Sequence, residues 1–168
     1  MTSVKDHRNL QFENVWGKDV SSYREGVLQM WKCYGGPVGN EAEQRLGQLV
    51  FVVCDNAGAL VGVSTAFKAY VKQLRNHFFI FRLMIMPEYR IPDLTSRLLV
   101  STRDFLESMH DQETAEPAIG LLTLVQREQI KKIRNEAIWP ASRMVYIGNT
   151  AEGHHIRVYY FKGARIVA

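Results

Sequence analysis

Residues 78–106 read FFIFRLMIMPEYRIPDLTSRLLVSTRDFL, and they constrain the fold more than any other stretch of the chain. Phe78 to Met86 is apolar at every position but Arg82, the pattern of a central strand covered on both faces. Pro87 then stops the strand, since proline brings no backbone donor and a fixed φ. A short loop carrying Arg90 follows. Leu94, Leu98, Phe105 and Met109, with Leu99 and Leu106 beside them, predict a helix from about Asp93 to Met109.

The remaining segments supply the partners such a strand needs. Leu10 to Val15 reads as a first edge strand. Val20, Tyr23, Val27, Met30, Trp31 and Tyr34 recur at helical spacing, Ser22 and Glu25 have the spacing of a capping box, and Gly35-Gly36 ends the helix. A polar helix is expected over Glu41 to Leu46. Leu49 to Cys54 and Ala59 to Val71 flank the turn Asp55-Asn56-Ala57-Gly58 and form a β-hairpin. Ala118 to Val125 is another strand, Arg127 to Ala137 a basic helix, and Arg143–Gly148 with His155–Phe161 a terminal hairpin. The order is β-α-α-β-β-β-α-β-α-β-β. With 168 residues, 46% of them hydrophobic, one α/β domain spanning 1–168 is expected.

Charge and cysteine narrow the class. The net charge of +4 comes from 21 basic residues mixed among 17 acidic ones, which suits anionic ligands without compelling a nucleic-acid binder. Cys33 and Cys54 lie in apolar surroundings and read as reduced thiols rather than a disulfide. The first residues, MTSVKDHRNLQFENVW, lack the apolar core of a signal peptide, and no run approaches the ~20 apolar residues of a membrane span. A soluble, cytoplasmic protein is the expectation.

The segment Ile85-Met86-Pro87-Glu88-Tyr89-Arg90, followed by Asp93 and Thr95, resembles the signature V-x-P-x-x-R/Q-x-x-G-x-G/A of the GNAT family of acetyl-CoA-dependent N-acyltransferases. Ile85, Pro87 and Arg90 match, and the element order matches over nearly the whole chain. Asp93 and Thr95 stand where the family has small residues, so the pyrophosphate loop is degenerate. The resemblance implies a GNAT-like fold, a mixed central sheet flanked by helices, with acetyl-CoA as cofactor. It assigns cofactor contacts to Ile85, Met86, Arg90, Leu94, Thr95, Ser96 and Arg97, the last four through the N–H groups at the helix start and the two hydroxyls. It also implies that the fourth strand parts from the strand at Ala118–Val125 to admit pantetheine. Pro92 removes one donor, and Asp93 reads as the helix N-cap, its carboxylate competing with phosphate. Two unit charges ~5 Å apart at an effective dielectric of ~20 repel by roughly 3 kcal/mol, about two orders of magnitude in affinity.

Acyl transfer to an amine needs a base for the nucleophile and an acid for the leaving thiolate. The resemblance places His77 near the position of a family glutamate, and imidazole, with a pKa of about 6.5, is a suitable base. Strand-start histidines are more commonly plain surface residues. In IWPASRM, Trp139 falls where the family has its tyrosine, which leaves Tyr146, with Tyr159 and Tyr160, as substitute acids. Tyrosines on strands are more often packing. Arg82, a charge in an apolar strand, is expected either to complete an ion pair or to face a cleft and bind an acidic acceptor or a carbonyl. Arg127, Lys131 and Arg134 recur at i, i+4 and i+7 as a basic stripe. It is solvated surface, a site for the 3′-phosphate of CoA, or a nucleic-acid contact, with no reading module to favour the last. His154-His155 has no third metal ligand at useful spacing, so no metal site is expected.

The resulting expectation is an N-acyltransferase moving an acetyl group from acetyl-CoA to an amine on a small molecule or a protein. The alternatives are a non-catalytic GNAT-like domain serving protein interaction and, third, a nucleic-acid-associated factor. No membrane partner is expected. The resemblance makes a homodimer through terminal strands the oligomer to test.

Overall fold

The structure, a computed structural model, describes residues 9–167; residues 1–8, the start of the stretch read above for a signal peptide, lie outside them. Seven strands and four helices follow the expected order: β1 (Gln11–Asn14), α1 (Ser21–Cys33), α2 (Gly39–Leu46), β2 (Leu49–Cys54), β3 (Leu60–Val71), β4 (Asn76–Ile85), α3 (Pro92–Ser108), β5 (Ala118–Val125), α4 (Glu128–Ile133), β6 (Val145–Asn149) and β7 (His155–Tyr160). A 3-10 turn, Pro87–Tyr89, links β4 to α3. The sheet order is β1-β2-β3-β4-β5-β7-β6, mixed because β4 and β5 run parallel while β1–β2, β2–β3, β5–β7 and β6–β7 are antiparallel. By contact density the chain resolves into two units, one comprising the residues through Ala66 and Arg82–Thr102, the other Phe67–Phe81 and Arg103 onward.

In the first unit, α1 and α2 cover one face of β2–β3 and α3 covers the other. Val27, Met30 and Trp31 of α1 and Ala42 and Leu46 of α2 pack with Leu49, Val52 and Val63. Val53, the next residue of β2, faces the other way and packs with Val61, Ile85, Tyr89, Leu94 and Leu98. Burial on both faces explains the unbroken apolar run of β2. One buried polar pair between α3 and β3 is matched: Thr102 Oγ1 donates to Leu98 O at 2.8 Å and lies 2.8 Å from Ser64 Oγ, which accepts Phe51 N–H at 3.2 Å. Gly62 is required where β3 passes β4, since a Cβ there would lie 2.9 Å from Met84 O and 3.1 Å from an Ile85 side-chain carbon.

In the second unit, Phe78, Ile119, Leu122 and Val158 form the core, with Ile80 and Ile156 packed against it. Gly120 has no room for a side chain, because a Cβ would fall 2.3 Å from Tyr159 O. Glu107 ties the end of α3 to β7, accepting from Tyr159 Oη at 2.9 Å and Lys162 N–H at 2.7 Å.

Three local expectations are corrected. Ser22 and Glu25 form no capping box: α1 starts after Val20, which makes no side-chain cap, and Asp19 accepts the Ser21 N–H at 2.9 Å. α4 is six residues long rather than eleven, because Arg134 O is taken by Trp139 Nε1 at 2.9 Å and the chain turns away. Arg127 and Arg134 therefore flank the helix, and the basic stripe is broken up. Lys131 reaches Gly153 O and Glu128, while Arg134 lies 3.7 Å from Glu136 and over the Trp139 ring. β4 is also less enclosed than its composition implies, with Phe78, Phe81 and Ile85 buried and Arg82 exposed.

Candidate active site

The loop between β4 and α3 lies within the first unit and is organised mainly by its own backbone. Tyr89 N–H donates to Met86 O at 2.9 Å, Arg90 N–H to Pro87 O at 3.3 Å and Ile91 N–H to Tyr89 O at 2.8 Å. Met86 N–H is held by Val61 O at 2.8 Å, and Ile85 O accepts from Arg90 Nε at 2.9 Å. Tyr89, 3% exposed, anchors the turn by donating from its hydroxyl to Asp55 Oδ2 at 3.0 Å. Burial, followed by the Asp55 carboxylate, raises the Tyr89 pKa above the ordinary phenol value. Asp55 Oδ1 meanwhile accepts Ala57 and Ala59 N–H at 2.9 Å each, so one carboxylate ties the β2–β3 turn to the loop.

Thr95 N–H bonds Ile91 O at 3.3 Å, which makes Ile91 the cap and Pro92, Asp93 and Leu94 the first three helical residues. The expectation that Asp93 caps α3 is thereby corrected. Proline at the first position forfeits only a donor the helix does not use. Asp93 and Leu94 carry N–H groups that close no turn of the helix, whereas from Thr95 onward the amides do; of the two residues Asp93 is exposed and Leu94 is buried, so the expected contact from the Leu94 amide is corrected. The expected amide contacts from Thr95, Ser96 and Arg97 are thus redirected to their side chains. Thr95 and Ser96 offer half-buried hydroxyls. Arg97 lies over the Phe12 ring at 4.9 Å and 3.9 Å from Asp93 Oδ2. Asp93 is 73% exposed, so its charge is both solvated and offset by Arg97. The loop can therefore hold an anionic group through Asp93 N–H, the two hydroxyls and the Arg90 guanidinium, on the positive end of a 17-residue helix.

Arg82 projects from β4 into a hollow of about 30 Å³ that Arg45 of α2 also lines, together with Trp31, Val63, Thr65 and Met84. Arg45 is 16% exposed and donates from Nη2 to Glu41 Oε1 at 2.7 Å. Burial first, then the Arg82 charge, lowers its pKa. Arg45 was missed in the sequence, where Glu41–Leu46 reads as merely polar. The signal was its position three residues after Ala42 and one before Leu46, the two residues α2 buries.

His77 and Tyr146 belong to the second unit, and the structure does not bring them together. His77 pairs with Ala118 on β5, while Tyr146 of β6 pairs with Arg157 of β7, which in turn pairs with Thr123 of β5. Ala118 to Thr123 is five residues along β5, about 17 Å at ~3.3 Å per residue. One acceptor nitrogen does not reach both, which corrects the pairing of these two as base and acid. His77 packs edge-on to Tyr70 at 5.3 Å, and Tyr146 donates from its hydroxyl to Asn149 Oδ1 at 2.9 Å. Trp139, at the position of the family tyrosine, is stacked beneath the guanidinium of buried Arg157 at 4.2 Å. The β4–β5 ladder runs through Phe79–Leu121 and Ile80–Leu122. At the next step the Thr123 hydroxyl donates to Phe81 O at 3.3 Å, a side chain taking a carbonyl next to the end of the ladder.

Among the described residues no helix is long and apolar enough to cross a membrane, and no group of three or more His, Cys, Asp and Glu is placed to hold a metal ion. No protein-family model matches the chain, and no curated protein resembles it in sequence. Solved structures do resemble it in fold. A GNAT superfamily phosphinothricin acetyltransferase from Sinorhizobium meliloti, in complex with AcCoA, superposes with a TM-score of 0.66 at 12% identity over 91% of this chain and 89% of its own. A ribosomal-protein-S5-alanine acetyltransferase from Vibrio fischeri gives 0.61 at 12% identity, over 96% and 98%. A spermidine N-acetyltransferase from Vibrio cholerae, in complex with CoA and spermine, gives 0.54 at 12% identity, over 92% and 94%. This chain has the GNAT fold.

Proposed function

We propose that the protein is an N-acyltransferase that takes an acetyl group from acetyl-CoA to an amine acceptor. The observation that carries the reading is the start of α3. A strand, a tight turn and a 17-residue helix present an exposed residue, Asp93, whose N–H closes no helical turn, with Arg90, Thr95 and Ser96 beside it. Neighbours of the same fold are complexes with AcCoA. Bound acetyl-CoA supplies the activated thioester. The chain's part is to fix the pyrophosphate on α3 and to bring the amine to it. His77 and Tyr146 remain separate candidates for proton transfer, each to be tested alone.

A second reading, a GNAT-like domain that serves protein interaction without a cofactor, draws on the loop itself. The amides of Tyr89, Arg90 and Ile91 all close internal turns, leaving few donors for phosphate. A thermal melt with acetyl-CoA separates the two. At 100 times Kd the cofactor should stabilise the protein by about 2.7 kcal/mol, a rise of roughly 5–10 °C for a chain of this size. No shift at millimolar acetyl-CoA would reject the enzyme reading.

A further inference from the structure

We infer that the hollow lined by Arg45 and Arg82 binds a carboxylate, so that the acceptor is an amine carrying an acid group. The inference rests on the acyltransferase reading for the word acceptor, and on the hollow alone for the anion. Two guanidiniums line one small depression within the first unit, on the face of β3–β4 that α1 and α2 cover. They sit close enough for the charge of Arg82 to depress the Arg45 pKa. Arg45 is 16% exposed while Arg82 is exposed, so an anion entering the hollow from solvent would be favoured by both charges.

The lining suits a carboxylate. Each guanidinium carries five donors in a planar fork, so the Nη2 contact from Arg45 to Glu41, one donor among five, leaves that group further capacity. Thr65 adds a hydroxyl, and the floor and walls are Trp31, Val63 and Met84, of which Trp31 and Val63 are almost fully buried. Apolar walls strengthen a charge-assisted hydrogen bond by excluding competing water. The space of about 30 Å³ accommodates roughly two water-sized groups, the size of the two oxygens of a carboxylate. A diamine without an acid group would bring further positive charge to a hollow that two arginines line.

The test begins without cofactor, so that it stands apart from the acetyl-CoA melt. At ionic strength matched with chloride, glutarate and 4-aminobutyrate should raise the melting temperature in a saturable way, and putrescine should not. R82Q and R45Q should each weaken binding of these acids at least tenfold. R82K, which keeps the charge and loses the fork, should fall between R82Q and wild type, and it supplies the answer if either glutamine variant fails to fold. Inorganic phosphate binding ten times tighter than glutarate would overturn the carboxylate assignment. Acids that give no saturable shift, or that bind R82Q, R45Q and R82K as they bind wild type, would overturn the inference even if acetyl-CoA binds. Acid binding lost in the variants, in a protein that ignores acetyl-CoA, would uphold the anion site and overturn its assignment to an acceptor. With acetyl-CoA present, acetylation of 4-aminobutyrate in preference to its amide completes the expected result.

Discussion

At the scale of single residues, Asp93 and Tyr89 show how far a side chain's role depends on its exact place in a turn. As an N-cap, Asp93 would bond the first amides and block an anion. As the second residue of the helix it faces solvent beside Arg97, and its effect on a bound phosphate is a screened charge. Asp93→Asn should therefore tighten acetyl-CoA several-fold at low salt, far less than the hundredfold an unscreened pair implies, and the gain should fade by 0.5 M salt; titration calorimetry at two ionic strengths checks this. Tyr89→Phe should cost about 1–3 kcal/mol by unpairing a buried hydroxyl bond to a carboxylate, as read from denaturant melts. Tyr89 also titrates in a definite direction. Its folded pKa is raised, so its stabilising contribution is complete below the unfolded value near 10 and is lost as pH climbs through the folded value. Wild type should lose stability above pH 10 more steeply than Tyr89→Phe does.

At the scale of elements, periodicity and punctuation made most of the fold legible. The hairpin β2–β3 was marked by Asp55 to Gly58, and Asp55 does accept the turn's amides while Gly58 takes a φ of +79°. The boundaries of α3 were nearly right for the same reason: Leu94, Leu98 and Leu106 are its buried stripe. What the sequence hid was set by distant partners. α4 ends because Trp139 and Arg157 claim the carbonyls at 134 and 137, and nothing local to Arg127–Ala137 announces this. Likewise Arg45 becomes a lining residue only when α2 lies on β3. Close strand approach gives a further prediction. Gly120→Ala should destabilise by about 1–3 kcal/mol or more, since its Cβ meets the backbone oxygen of Tyr159, while Gly148→Ala, with open space, should suffer only from its φ of +140°. Urea midpoints of the two variants rank them.

At the scale of the molecule, the order of strands and helices was readable because each element carries its own signal, and that order extended over nearly the whole chain a family resemblance whose specific residues are Ile85, Pro87 and Arg90. The candidate proton-transfer residues were not readable as a pair, because their separation depends on the register of β4, β5, β7 and β6 together. The division into units was equally hidden. β3, β4 and α3 each pass from one unit's residues to the other's, so neither unit is a continuous piece of chain. A protease cut in the polar loop between α3 and β5 should accordingly leave both fragments co-eluting on a sizing column until denaturant is added. Pairing of β4 with β5 and the Glu107 bonds to Tyr159 and Lys162 span that cut. The same threading bears on how the chain emerges from a ribosome. The first unit has all its residues once Thr102 is made, while Phe67–Phe81, already synthesised, has its β5 partner still to come. At about 5–20 residues per second, the next twenty or so residues take on the order of one to a few seconds. During that interval the half-finished sheet ends in an unpaired edge carrying Phe78 and Phe79, an adhesive surface that the growing chain must keep from its neighbours.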